Sequence, residues 1–270
     1  MMDFVAPILA ATVVWWASTG SLLWLVRQSR AVRYWAAAAF SFAAAIATLA
    51  VLPLRDIGTP AGAYAGFACG IILWAWHESM FLFGYISGPR KTPCPEGLKI
   101  WPRFVVSTEA VIHHEVAIAV HGALILMLSW GALNTMAAAT FLLLWAMRLS
   151  SKLIVFLGAP NISDHMLPPH LRYLSTYFNK TQATALFPVF IAVVAGVAFT
   201  FGYAGFSAPA GSFAATGYLL LATLATLAVI EHLALVLPVP DAVLWAWAIQ
   251  KNADTDAVSP HRPRPDYGRT

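Results

Sequence analysis

Three adjacent histidine–glutamate pairs stand out in an otherwise apolar chain: His77-Glu78, His114-Glu115 and, in reverse order, Glu231-His232. Glu109, His113, His121, Arg148 and Lys152 lie in similarly apolar surroundings. Histidine and glutamate projecting from facing helices form the ligand sets of dimetal carboxylate centres in helical bundles, and imidazole suits iron, zinc, copper or nickel. A metal centre would draw on Glu78, His114, Glu115, Glu231 and His232, with His77 and His121 behind them. The Glu-x-x-His spacing of soluble di-iron bundles is absent, and Arg148 and Lys152 would oppose a bound cation. A second chemistry is axial ligation of a tetrapyrrole. His121 is followed by Gly122 and Ala123, small enough to leave room for a flat macrocycle. A third reading is an internal salt-bridge network. A buried charge without a partner is costly, so Glu78, Glu115 and Glu231 would pair with Arg148 and Lys152, and the histidines would complete the hydrogen bonding. HESMF at residues 77–81 lacks the second histidine of a zinc-protease helix, which removes that class.

The elements that carry these residues are membrane spans. Of the 270 residues 60% are hydrophobic and only 10% charged, against about 25% charged in a soluble domain. Apolar runs long enough to cross a bilayer recur along the chain. Seven are expected, near 4–27, 32–53, 63–87, 106–130, 133–158, 183–204 and 213–238. Backbone amides in hydrocarbon must be satisfied within their own segment, so the spans are helices. The expected fold is an all-α polytopic bundle with residues 1–250 as one domain. Residues 251–270, proline-rich and basic, form a tail that reads as disordered.

Basic residues alternate between the loops. Arg27, Arg30 and Arg33 flank the first; Arg90, Lys91, Lys99 and Arg103 occupy the third; Arg172 and Lys180 occupy the fifth; Lys251, Arg262, Arg264 and Arg269 fall in the tail. The second, fourth and sixth hold only Arg55. The positive-inside rule then puts the N-terminus outside and the C-terminus in the cytoplasm. The net charge of +4 reports orientation and gives no support to a nucleic-acid partner; the expected surroundings are a lipid bilayer. MMDFVAPILAATVVWW lacks a basic n-region, so it reads as an uncleaved first span. Cys69 falls in a span and Cys94 in a loop, without metal-motif spacing.

With that orientation the polar residues share a depth. At 1.5 Å of rise per residue, Glu78 and Glu115 lie roughly 13 Å from the cytoplasmic ends of their spans, Arg148 about 15 Å and Glu231 about 10 Å. Ionisable groups at such depths are functional-site candidates by default. His114 and His121 share a helix face, whereas His113 and Glu115 point to nearly opposite sides. Glu109 sits near the expected helix start, where a carboxylate suits the dipole. Gly62, Gly66 and Gly70 form a small-residue stripe that admits a close neighbouring helix. In the fifth loop HLRYLSTYF reads as a short amphipathic helix at the interface, with His170, Arg172 and Tyr173 as interfacial residues, while His165 reads as exposed. Trp245 and Trp247 fall where an aromatic belt would lie.

WAWHESMFLFGYISGPRK, HHEVAI, MRLSSKLIVFLGAPN, LPPHLRYLSTYF and IEHLALVLPVPDAVLWAW, in that order, resemble the PuhE-type photosynthetic complex assembly proteins of purple and aerobic anoxygenic phototrophs. The blocks span residues 70 to 250. The resemblance implies an integral protein of the inner or intracytoplasmic bacterial membrane that assists formation of the reaction-centre and light-harvesting apparatus. Its partners would be the complex's subunits or other assembly factors, and the polar layer could hold bacteriochlorophyll or a precursor. No catalytic residue is implied. Competing readings are an intramembrane metal-dependent oxidoreductase, with iron the first candidate, and a proton-coupled transporter, against which the lack of internal repeats argues.

Overall fold

The structure is a computed structural model that describes residues 1–238 and 244–249. Every regular element among them is helical. Six helices are long and apolar enough to cross a bilayer: α1 (Met2–Leu25), α2 (Arg30–Leu54), α3 (Pro60–Leu82), α6 (Met136–Leu157), α7 (Phe187–Ser207) and α8 (Phe213–Ala234). The fourth expected span is two helices, α4 (Ile100–Glu109) and α5 (Ile112–Leu128), bent by 68° at their junction. A short α9 (Ala246–Ile249) follows. The basic tail lies outside the described residues.

Local chemistry fixes several helix starts. Ser29, Thr59 and Ser212 accept hydrogen bonds from the amides of Val32, Gly62 and Ala215, satisfying donors that a first turn leaves free. Pro60 follows Thr59 at the first helical position, where its missing amide proton costs nothing. At the opposite end, the Arg55 guanidinium donates to the carbonyls of Leu128 (3.1 Å) and Trp130 (2.8 Å), closing the end of α5.

α3 and α8 form the centre of the bundle. Over half of each apolar window is buried, 56% and 61%, against 11% in α1 and α7. α3 packs on α2, α5, α6 and α8, and α8 packs on α1, α3, α6 and α7. A helix hydrophobic on all sides suits such a place. The outer helices leave Phe42, Ile46 and Leu49 of α2 and Val189, Val193 and Phe199 of α7 exposed, the faces that lipid would cover.

Two of the three glycines of the stripe do what its spacing suggested, while Gly62 lies against Ile57 of the preceding turn. A Cβ on Gly66 would lie 2.7 Å from the Met136 Cβ, and one on Gly70 would lie 2.6 Å from the Thr140 Cβ and 2.9 Å from the Ala137 carbonyl. α3 and α6 therefore meet nearly backbone to backbone. Gly70→Ala should cost about 1–3 kcal/mol through overpacking, read as a lowered midpoint in detergent unfolding; an unchanged midpoint would mean that the two helices separate freely.

One expectation needs correction at the basic-loop end. Residues Pro169–Tyr177 form a 3₁₀ helix whose buried positions, Leu171, Leu174 and Tyr177, recur every three residues as that geometry requires. Its apolar side packs on Phe81 and Ala110 of the protein itself instead of lying on lipid. The two tryptophans after the last span pack on α1. Trp245 is buried and donates to the Trp16 carbonyl, and Trp247 lies against Gly20. Arg172 is exposed, and the His165 side chain lies outside the described residues.

Candidate functional site

The polar layer forms at the basic-loop end of α3, α5, α6 and α8. Two carboxylate–cation pairs organise it. Glu115 accepts a hydrogen bond from the Lys152 ammonium through Oε1 and one from the Trp145 indole N–H at 3.1 Å through Oε2. Trp145, Arg148 and Lys152 lie on one face of α6 by helical spacing. Lys152 also stands 5.7 Å from the centre of the Phe81 ring, a cation–π contact. Glu78 pairs with Arg148, whose Nε lies 3.6 Å from its Oε1, and the His114 Nε2 stands 3.9 Å from the same oxygen.

A directed histidine chain leads away from this pair. The Thr48 hydroxyl donates its proton to the Ala44 carbonyl at 2.8 Å. Its oxygen can then only accept from the His121 Nε2, 3.0 Å away. With both rings neutral, the His121 Nδ1 must accept from the His77 Nε2 at 3.0 Å. The His77 Nδ1 is left as a bare acceptor, buried and without a partner. Both His114 ring nitrogens and the Glu78 Oε1 likewise make no hydrogen bond. His77 and His114 are each only 1% exposed, so their unbonded nitrogens are orphaned inside the bundle, while the Glu78 Oε1 keeps its ion pair with Arg148. Trp76 and Phe141 pack edge-on or tilted against the imidazoles and wall off the chain. Nitrogen-15 NMR on histidine-labelled protein should show His77 and His121 each in the single Nε2–H tautomer. Thr48→Val should release His121 into a tautomer mixture; an Nδ1–H tautomer at both rings of the unaltered protein would mean that the chain runs the other way.

The other two expected ligands are already engaged. The His232 Nδ1–H donates to the Ala228 carbonyl at 2.7 Å, which leaves Nε2 to accept from the Ser150 hydroxyl at 3.0 Å. Glu231 is exposed, and its Oε1 accepts from the Trp15 indole at 2.9 Å. Among the described residues no group of three or more histidines, cysteines, aspartates or glutamates stands close enough to hold a metal ion. Four of the five ligands expected from the sequence are divided among separate partners, Lys152 for Glu115, Arg148 for Glu78, Trp15 for Glu231 and Ser150 for His232, and the fifth, His114, has no hydrogen-bond partner.

Three further placements differ from expectation. Glu109 ends α4 instead of starting a span; it is half-exposed and pairs with Arg90 at 3.7 Å. His113 faces outward from the bundle, away from the layer. Gly122, expected to leave room for a macrocycle beside His121, instead faces Phe141 and Leu142 of α6, and both nitrogens of His121 are hydrogen-bonded. The layer is also shallower. Glu78 lies four residues before the end of α3 and Glu231 three before the end of α8, roughly 6 and 5 Å from those ends. Arg148, about 14 Å from the end of α6 by the same rise, reaches Glu78 through its long side chain.

The loops lock this end in place. Gly84, at φ +82°, turns the chain out of α3, and a Cβ there would press against the His170 ring at 2.9 Å. The His170 Nε2–H donates to the Leu82 carbonyl at 3.0 Å. Partial burial of its ring, opposed by that bond, holds its pKa below the ordinary histidine value. Tyr173 joins the apolar cluster around Phe81. Asn161 donates from its amide and side chain to the carbonyls of Leu235 and Val236, capping α8. Thr48, Trp15, Trp145 and Ser150 escaped the sequence reading. Each is a neutral partner whose only signal is a polar atom in an apolar run.

Fold and site together define a polytopic helical membrane protein with a charged, histidine-rich layer inside its bundle. The chain belongs to the family described as "Protein of unknown function (DUF3623)", whose family model matches residues 1–256. It is 32% identical over 254 residues to a Rhodobacter capsulatus protein described as an "uncharacterized 30.4 kDa protein in puhA 5'region", covering 91% of each chain. No solved structure matches it.

Proposed function

We propose that this protein is a PuhE-type factor of the bacterial inner or intracytoplasmic membrane that assists assembly of the photosynthetic reaction-centre and light-harvesting complex. One observation carries the reading. A relative similar over nine-tenths of both chains lies in the puhA 5' region, and the ordered blocks of this sequence resemble the family that bears the same puh designation. The bundle of residues 1–250 is the working domain and the basic segment 251–270 an appendage to it. The basic-loop end of the bundle faces the cytoplasm, with the N-terminus outside.

The polar layer suits a handling role better than a metal-dependent reaction, because four of its five would-be ligands are already spent on other partners. Handling would mean transient retention of pigment or of a pigment-binding helix. Deleting the gene from its native bacterium tests the proposal. Membranes of the deletion strain should show reduced near-infrared absorption from assembled complexes, restored by the intact gene. Unchanged absorption, with complexes of normal composition, would overturn the assembly role.

A further inference from the structure

We infer a tetrapyrrole-binding groove on the outer face of α5 in which His113, not His121, is the axial ligand. The inference rests on the pigment-handling reading and deepens it. A groove of about 540 Å³ opens on the bundle surface, lined by His113, Val116, Ala117, Val120 and His121 of α5 and by Trp76 of α3. Its size falls within the roughly 300–1,000 Å³ of ordinary ligand sites.

The α5 residues lie on one helix face by spacing. His113 and His121 sit eight residues apart, roughly 12 Å along the axis. Between them the face is apolar, and Ala117, one turn from His113, leaves a low surface for a flat ring to approach. Trp76 forms the side wall and is held there by its indole N–H, which donates to Ser41 at 2.9 Å.

The free nitrogen decides the ligand. His121 lines the groove, but Thr48 and His77 take both its nitrogens. His113 is exposed and makes no hydrogen bond among the described residues. A neutral imidazole carries one lone pair able to bind a metal. An acyl chain could fill the groove, yet it offers nothing to that nitrogen. A metallated tetrapyrrole with an open axial position satisfies both halves of the site, its metal on the imidazole and its ring on the apolar face. The chemical class is therefore a metalloporphyrin or metallochlorin, bound without covalent change.

Zinc protoporphyrin IX titrated into the detergent-purified full chain, beside metal-free protoporphyrin IX, tests the site. Saturable one-to-one binding with a shifted Soret band and induced circular dichroism is expected for the zinc form. His113→Ala should weaken it by at least about tenfold, and the metal-free ring should bind weaker by a similar factor. Val120→Trp, which fills the groove and leaves His113 in place, should abolish binding, whereas His170→Ala should leave it unchanged.

Equal binding of the zinc and metal-free rings, unchanged binding by His113→Ala, or no binding at all would each overturn the inference. The two proposals fail separately. No binding with a deletion strain depleted of complexes removes the groove and keeps the assembly role. Ligand-dependent binding with normal complexes in the deletion strain does the reverse.

Discussion

Glu115→Ala should destabilise the protein by about 3–5 kcal/mol, the usual cost of stranding one partner of a buried ion pair. The Lys152 ammonium loses its carboxylate, and the Trp145 indole loses its acceptor in the same step. Only 25% of the Lys152 side chain and 17% of the Glu115 side chain are exposed, so water has limited access to replace them. Lys152→Met should cost a similar amount by leaving the carboxylate alone. The paired variant Glu115→Leu with Lys152→Met should recover most of the loss, because apolar replacement of a whole buried pair is often neutral or better. Chemical unfolding in detergent, followed by tryptophan fluorescence, closes the double-mutant cycle. Additive losses would show that the two residues act independently and that the pair does not organise the layer.

The same cycle bears on how the layer is built. Charged groups at this depth must be matched one by one, and the structure matches them locally: Glu115 with Lys152, Glu78 with Arg148, Glu231 with Trp15. A dimetal site needs the opposite arrangement, in which several ligands give up private partners to share one ion. The sequence shows which helices carry the charges and cannot show how they divide.

That division marks what was legible. The spans could be read because bilayer thickness demands long apolar runs, and six of seven helices fall close to the expected bounds. The stripe Gly62, Gly66, Gly70 announced a close helix contact, and α6 supplies it at Gly66 and Gly70, whereas Gly62 lies against the backbone of Ile57. The break at residues 109–112 was hidden. No proline or glycine interrupts STEAVIHHE, and the cause lies elsewhere in the chain. The backbone of the α3–α4 loop runs over the junction, where a Cβ on Gly88 would meet the Glu109 carbonyl at 2.0 Å. The Ser87 carbonyl accepts from the His114 amide at 2.9 Å, capping the first turn of α5. A helix end made by a distant loop leaves no local signal. For the same reason Glu109, read as a member of the layer, proves to be a partner of Arg90 at the end of α4. The spacing sets His113 and Glu115 on nearly opposite sides of the helix without showing which side faces inward, and His113 proves to be the exposed one. The partners that fix the histidine tautomers, Thr48 and Ser150, were invisible because a hydroxyl in an apolar helix ordinarily bonds to its own backbone.

His114→Leu should make the protein more stable and less functional. His114 is buried, and neither ring nitrogen has a hydrogen-bond partner. An unsatisfied buried polar group costs about 1–3 kcal/mol, so an apolar side chain of similar bulk beside Phe81, whose ring centre lies 4.6 Å away, should raise stability by an amount in that range. Glu78 keeps Arg148 in the variant, so no new charge is stranded. Proteins retain destabilising polar groups where activity needs them, and stability commonly rises when such groups are replaced. If the orphaned nitrogens of His114, the His77 Nδ1 and the Glu78 Oε1 serve the handling role, the variant should unfold at higher denaturant while failing to restore near-infrared absorption to the deletion strain. A fall in stability would instead show that His114 is a structural residue whose weak contact with Glu78, at 3.9 Å, counts for more than its unmet hydrogen bonds. A stable variant that restores the complexes fully would take His114 out of the working site and leave the two ion pairs and the outer groove as the parts of the bundle that matter.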